Sequence, residues 1–221
     1  MDQTYFQHVR SEIAPLLPAG AAHILDVGAG AGRTSAWLRS RYPGCHSVAL
    51  EGDPAMLEEL KQNVDVAHIV DLNGAIPDVG APDLILLLDV LEHLMRPQDL
   101  LSHLTSVMAE GATVIFSCPN VAHASVSVPL LLRGKFDYQD AGILDRTHLR
   151  FFVRESAIAL MNQAGLIVQH GIRTGLRGPR TRLLDTLTGR TLRDHLTKQY
   201  ILAGRRAAPG IEQGKVHWLV N

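Results

Sequence analysis

The stretch HILDVGAGAGRTSAWL, residues 23–38, places Gly28, Gly30 and Gly32 at alternate positions between a run that reads as a strand and one that reads as a helix. In a doubly wound α/β fold, ligands bind at the carboxyl ends of the strands. There the first strand runs through a glycine turn into a helix whose N-terminus favours negative charge. The loop reads D-x-G-x-G-x-G from Asp26 to Gly32. A dinucleotide fingerprint would need GxGxxG, but the third glycine comes one residue early and Arg33 stands where that pattern wants glycine. Taken alone, the same glycines would also serve a tight turn that needs positive φ.

Outward from this loop, HILDV, HSVALE, VAHIVD, DLILLLD, ATVIFSC, LIVQHGI and YILAGRR are the candidate strands, with helical patterns in the gaps. Strands alternating with helices predict a parallel, doubly wound sheet. DLILLLD is apolar on both faces, as a central strand covered by helices above and below should be. SAWLRSRY follows the first strand and PAMLEELKQN the second. RPQDLLSHLTSVM follows the fourth, with Leu100, Leu101, Leu104, Val107 and Met108 at helical spacing. Asp53 with Pro54 reads as an N-cap followed by proline at the first helical position.

The 221 residues, 46% of them hydrophobic, suffice for one domain with a sizeable core, and no linker or repeat divides them. The net charge of −1 hides an asymmetry: residues 51–100 carry eleven acids against two bases, residues 170–206 nine bases against two acids. A basic segment attracts anions, although a solvated basic face is the commoner explanation. Cys45 and Cys118 form no CxxC spacing, so neither a disulfide framework nor a zinc knuckle is indicated. The start MDQTYFQHVR lacks the basic and apolar regions of a signal peptide, and no apolar run could span a bilayer. A soluble, cytoplasmic protein is expected, with neither a membrane nor a nucleic acid as partner.

Acids recur where the strands end. Glu51 follows Asp26 by 25 residues, at the end of the second strand, where a carboxylate can accept both hydroxyls of a ribose. Asp71-Leu72 closes the third strand and Asp89 the fourth, with Glu92 and His93 three and four residues on. If a helix starts there, these two share a face with Asp89. The fifth strand runs into Cys118-Pro119-Asn120. GILDRTHLRFF, residues 142–152, then sets polar groups between apolar anchors ahead of a regular helix. The bland reading is a salt-bridged loop, with Asp145 paired to Arg150 and Arg146 solvated.

In this order the motifs resemble those of the class I S-adenosylmethionine-dependent methyltransferases over nearly the whole chain. The D-R-x-H-x-R-F-F segment is similar to that of O-methyltransferases from glycan pathways and, more loosely, to the ubiquinone type. The resemblance implies a seven-stranded, mostly parallel sheet with the last strand antiparallel, in a domain of residues 1–206. It implies S-adenosyl-L-methionine as cofactor, held by Asp26, Gly28, Gly30, Gly32, Glu51, Gly52, Asp71, Leu72, Asp89 and Val90. The acceptor would be a small-molecule or glycan-type compound. His148 is the first choice for the base that takes its proton and His93 the second, since imidazole titrates near neutral pH. Arg146, His123 and Tyr138 are substrate-side candidates. An N-terminal helix over residues 1–20, carrying Tyr5 and Phe6, is a candidate lid. The tail, residues 207–221, has no counterpart, and its Trp218, Leu219 and Val220 suggest a packing or homodimer contact.

Three other readings compete. A nicotinamide-dependent oxidoreductase would need the missing glycine and a Tyr-x-x-x-Lys pair, which is not visible. A metal-assisted reading arises because Asp89, Glu92, His93 and His148 resemble the acid-x-x-Glu-His plus distant His set of RNA 2′-O-methyltransferases. The metal-free version is expected, because Asp89 is already claimed by the cofactor's amino-acid end. A non-catalytic module that keeps the cofactor fold is the third.

Overall fold

A computed structural model of the chain describes residues 8–176, 178–207 and 212–219. One sheet organises the molecule, in the order β3-β2-β1-β4-β5-β7-β6-β8. Strands β1 (His23–Val27), β2 (His46–Glu51), β3 (Val66–Ile69), β4 (Leu84–Leu88) and β5 (Thr113–Pro119) are mutually parallel. β7 (Gln199–Arg206) inserts antiparallel between β5 and β6 (Leu166–Arg173). All seven expected strands are present, and the antiparallel one is the last of the seven.

Side chains alternate across the sheet, so each central strand feeds two cores. Leu25, Val27, Ile85 and Leu87 pack on one face, where Leu100, Leu101 and Leu104 of α3 (Pro97–Val107) cover them. Ile24, Leu84 and Leu86 pack on the other with Leu38 of α1 (Arg33–Arg41) and Ile13. Burial on both faces explains why β4 reads as an unbroken apolar run rather than an alternating one. Asp53 accepts a hydrogen bond from Ala55 N at 2.9 Å and opens the turn into α2 (Leu57–Asn63), as its sequence position predicts.

The sheet gains an eighth strand. β8 (His217–Leu219) pairs in parallel with β6 in what reads as a tail, so the count of seven is one short. Trp218 lies over Gly171, where a Cβ would stand 2.6 Å from the indole, and under the Arg173 guanidinium at 3.7 Å. The packing role of Trp218 is thus realised within the chain, while Val220 lies outside the described residues.

At the other end, the expected N-terminal helix is represented by a six-residue 3-10 helix, Ser11–Leu16. Pro15 inside it denies the backbone an α-type hydrogen bond. Tyr5 and Phe6 lie outside the described residues. Among the described residues no helix is long and apolar enough to cross a membrane.

In the strand order β1 has β2 on one side and β4 on the other, so successive crossovers leave in opposite directions from this point. A crevice opens outside the carboxyl ends of strands at such a switch. The glycine loop sits at this point.

Candidate functional site

The glycine loop leaves β1 in left-handed conformation at all three positions, with φ of 68° at Gly28, 56° at Gly30 and 75° at Gly32. A β-carbon strains each of these conformations. At Gly28 there is also no room, since a Cβ would lie 2.5 Å from Val90 Cγ2. Val90 thus seals the loop from the β4 side. Glu51 crosses from β2: Oε2 accepts from Gly30 N at 2.7 Å, while Oε1 accepts from Gly52 N at 2.8 Å and Asp53 N at 2.9 Å. Oε1 is thereby filled, while Oε2 keeps lone-pair capacity for a further donor.

Asp26, one residue before the end of β1, is buried and accepts from Ser35 Oγ at 2.6 Å. Burial pushes its carboxyl up to about 6 against the pull of Ser35, and the nearby Glu51 charge pushes the same way.

Asp89 follows β4 directly with φ 59°, a left-handed backbone that costs a non-glycine residue roughly 1–2 kcal/mol. The backbone then makes only a three-residue 3-10 turn, Leu91–His93, instead of the expected helix start. The Asp89 carboxylate is occupied. Arg10 Nη1 donates to it at 2.7 Å, Ser117 Oγ at 2.8 Å and Gln199 Nε2 at 2.6 Å. Arg10, Ser117 and Gln199 are partners of this carboxylate that sequence reasoning missed. A half-buried carboxylate at a strand end draws a cation or donors, but nothing local says that they come from 79, 28 and 110 positions away.

Beyond Asp89, the carbonyl of Glu92 accepts from Leu149 N at 2.8 Å and Arg150 N at 2.9 Å, clamping the 142–152 segment against β4's end. This brings His93 and His148 together, with ring centroids 4.8 Å apart in an edge-to-face arrangement. The Nδ1 of His148 faces the Ile143 carbonyl at 3.1 Å, and that of His93 faces the Thr147 carbonyl at 3.3 Å and hydroxyl at 3.1 Å. With Nδ1–H donating to a carbonyl, the lone pair of each ring lies on Nε2. Burial, and then His148, lower the pKa of His93 and keep its ring neutral near pH 7.

Glu92 differs from every other acid of the site. It is 1% exposed, and neither carboxylate oxygen finds a hydrogen-bond partner among the described residues. Burial, reinforced by Asp89, holds its pKa well above the carboxylate range.

The remaining candidates are dispersed. Arg146 is exposed and pairs with Asp140, its Nε 2.9 Å from Oδ1. Asp145 accepts from Thr147 N and Oγ1 at 2.8 and 2.6 Å, and Arg150 donates to the Met95 carbonyl, so the expected Asp145–Arg150 bridge is replaced by two separate contacts. His123 caps α4 (Ala124–Arg133) by accepting from Ser125 N. Tyr138 stands with Phe136 and Phe151 in an aromatic cluster that reaches His148. A cavity of about 380 Å³ is lined by Gly52, Asp71, Leu72 and Asn73 on the β2–β3 side and by His93 and Leu94 on the β4 side. It therefore joins four of the expected site residues.

The model of a family described as "Methyltransferase domain" matches residues 1–170 of the chain. This chain belongs to the methyltransferase domain family. Trans-aconitate 2-methyltransferase of Paracidovorax citrulli is 27% identical over 113 residues, which cover 49% of this chain and 44% of that protein. The chain thus spans less than half the length of this curated relative. Solved structures agree on the fold. An S-adenosylmethionine-dependent methyltransferase from Mesorhizobium loti superposes with a TM-score of 0.62 at 13% identity, covering 88% of this chain and 96% of that one. Another from Archaeoglobus fulgidus gives 0.62 at 15% identity, covering 93% and 95%.

A methyltransferase domain with this α/β Rossmann-like fold takes its methyl group from S-adenosyl-L-methionine. The residues at the crevice fit that group. Three left-handed glycines leave the loop backbone bare, and Glu51 Oε2 retains acceptor capacity for a hydroxyl.

Proposed function

We propose that this methyltransferase domain methylates an oxygen of a small-molecule or glycan-type acceptor, with the acceptor hydroxyl activated at the His93–His148 pair. The observation that carries the reading is the cavity that runs from Gly52, Asp71 and Leu72 to His93. A cofactor lying from the β2–β3 ends toward β4 would direct its reactive end at the imidazoles. The curated relatives named for trans-aconitate support an acceptor of small-molecule size.

In this reading the glycine loop lets the backbone approach the cofactor, and Asp26 positions its amino-acid end. Glu51 and Gly52 take the ribose, and Asp71 and Leu72 the adenine. Asp89, its carboxylate already committed, acts with Val90 by shaping the turn beneath the methionine end, and Arg10 adds a cation on that side. When bound, the cofactor supplies a methyl group on a positively charged sulfur. The protein's task is alignment and exclusion of water, worth up to ~7–11 kcal/mol for well-oriented pairs.

Calorimetry with S-adenosylhomocysteine tests the cofactor half. Glu51→Ala should weaken binding by roughly 1–3 kcal/mol through lost charge-assisted hydrogen bonds, and an unchanged affinity would remove the ribose assignment. A panel of hydroxyl-bearing acceptors, read by mass detection of methyl transfer, tests the other half. Cofactor binding without turnover on any acceptor class would favour a non-catalytic module.

A further inference from the structure

We propose that a second cavity, at the end of the sheet away from the crevice, binds a small organic anion with an apolar body, of the kind a medium-chain carboxylate represents. The site stands apart from the acceptor and the methyl transfer assigned above.

The cavity measures about 390 Å³, within the roughly 300–1,000 Å³ of small-ligand sites. It lies where β5 begins and β7 nears its end, walled by residues 15–19 at the end of the 3-10 helix. From Thr113 in its wall, β5 reaches Ser117, the partner of Asp89, four residues on and roughly 13 Å away at ~3.3 Å per residue. A molecule held here is therefore separate from the cofactor. The floor is apolar. Ala203 and Leu219 belong to the sheet face that also packs Ile115, Ile172 and Ile201, and Leu16, Leu17 and Pro18 close the other side.

Four polar side chains from three strands line the same space. Thr113 and Arg205 stand opposite each other in the β5–β7 ladder, two residues from Ile115 and Ala203 and so on the same face as them. Thr113 is 5% exposed, and its hydroxyl has no hydrogen-bond partner among the described residues. Leaving a buried hydroxyl unpaired is costly, and an acceptor oxygen entering the cavity removes that cost. Arg205 has no ion pair among the described residues, whereas others of the late basic segment are committed: Arg173 to Asp194, Arg193 to Asp185 and Arg206 to the Thr105 and Met108 carbonyls.

The other two groups come from an irregularity. The β6–β7 register shifts between Val168 and His170, so Gln169 is an extra residue, and it and His170 are exposed in succession where alternation calls for one. Bulges re-aim side chains, and both of these line the cavity. Guanidinium, amide, imidazole and hydroxyl can all donate, and among the described residues no Asp or Glu lines the space. Donors converging beside a cation over an apolar floor match an anionic head on an apolar body. The site also uses two sequence features that methyl transfer leaves idle: the basic segment supplies Arg205, and the tail supplies Leu219 through β8.

Hexanoate is the probe. Titrated into the isotope-labelled full chain, it should produce saturable NMR amide shifts centred on Thr113, Gln169, His170 and Arg205, and these should persist with S-adenosylhomocysteine present. Hexanamide, similar in shape but uncharged, should bind about tenfold or more weaker. Arg205→Gln should weaken hexanoate by about tenfold or more through the lost charge-assisted hydrogen bond, and Thr113→Val by a smaller factor. Arg133→Gln, at the end of α4, should leave affinity unchanged. The amide spectrum of each variant reports whether it is folded; if Thr113→Val is not, Arg205→Gln, at an exposed position, decides. Absence of saturable shifts, shifts centred on the crevice instead, equal binding of hexanamide, or undiminished affinity in Arg205→Gln would each overturn the proposal.

Discussion

The two halves of the cleft are finished to different degrees. On the β1–β2 side each buried acid is satisfied within the chain: Asp26 by Ser35, and Glu51 by three backbone N–H groups. On the β4 side the imidazoles are oriented through Nδ1, but the Glu92 carboxylate has nothing to bind among the described residues. The first half is a rigid receptor whose shape is set by glycine φ values. The second holds one buried carboxylate, Glu92, without a hydrogen-bond partner among the described residues. A buried carboxylate left unsatisfied beside a cleft is a candidate for function rather than for stability.

The sharpest way to break this contrast is His148→Ala. If the β4 side serves the acceptor alone, turnover should fall by ~10²–10⁴ while S-adenosylhomocysteine affinity stays near wild type. A comparable loss of affinity would mean that the two halves act as one. Gly28→Ala probes the other side through stability. A left-handed alanine and a Cβ 2.5 Å from Val90 should together cost about 2–5 kcal/mol in denaturant unfolding. Adding Val90→Ala should recover the steric share and leave the backbone share, and failure to recover any would point to φ as the whole cause.

The smallest expected effect concerns Asp26. Its folded-state pKa, raised to about 6, exceeds the value of 3.8 expected when unfolded, so the native state binds the proton more tightly. The associated stability is fully present below the unfolded value and is lost as pH rises through about 6. At 1.36 kcal/mol per unit the change amounts to up to about 3 kcal/mol. Unfolding free energies measured from pH 4 to 8 should show this slope in the wild type and a shallower one in Asp26→Asn. Glu92, shifted in the same direction, contributes to the slope with the same sign. Identical slopes would show that Ser35 and the glycine loop already compensate the Asp26 charge.

Much of this protein was legible in the order of its residues, because the signals were local. Apolar runs of strand length marked seven strands, the spacing of Leu100, Leu101 and Leu104 marked a helix face, and the alternate glycines marked a turn that only positive φ can make. The acids at strand ends followed from the same periodicity, since a strand that ends at a ligand crevice places its last side chains there. What the sequence could not determine depends on pairing across long separations. β8 is too short for any periodic signal, and its place beside β6 depends on a bare Gly171 that admits Trp218. The Arg10–Asp89 contact joins positions 79 apart, and the meeting of His93 with His148 depends on the Glu92 carbonyl gripping two amides of a distant loop. Local propensity decides which elements exist. Only packing decides which buried polar groups find partners and which, like the Glu92 carboxylate, are left without one.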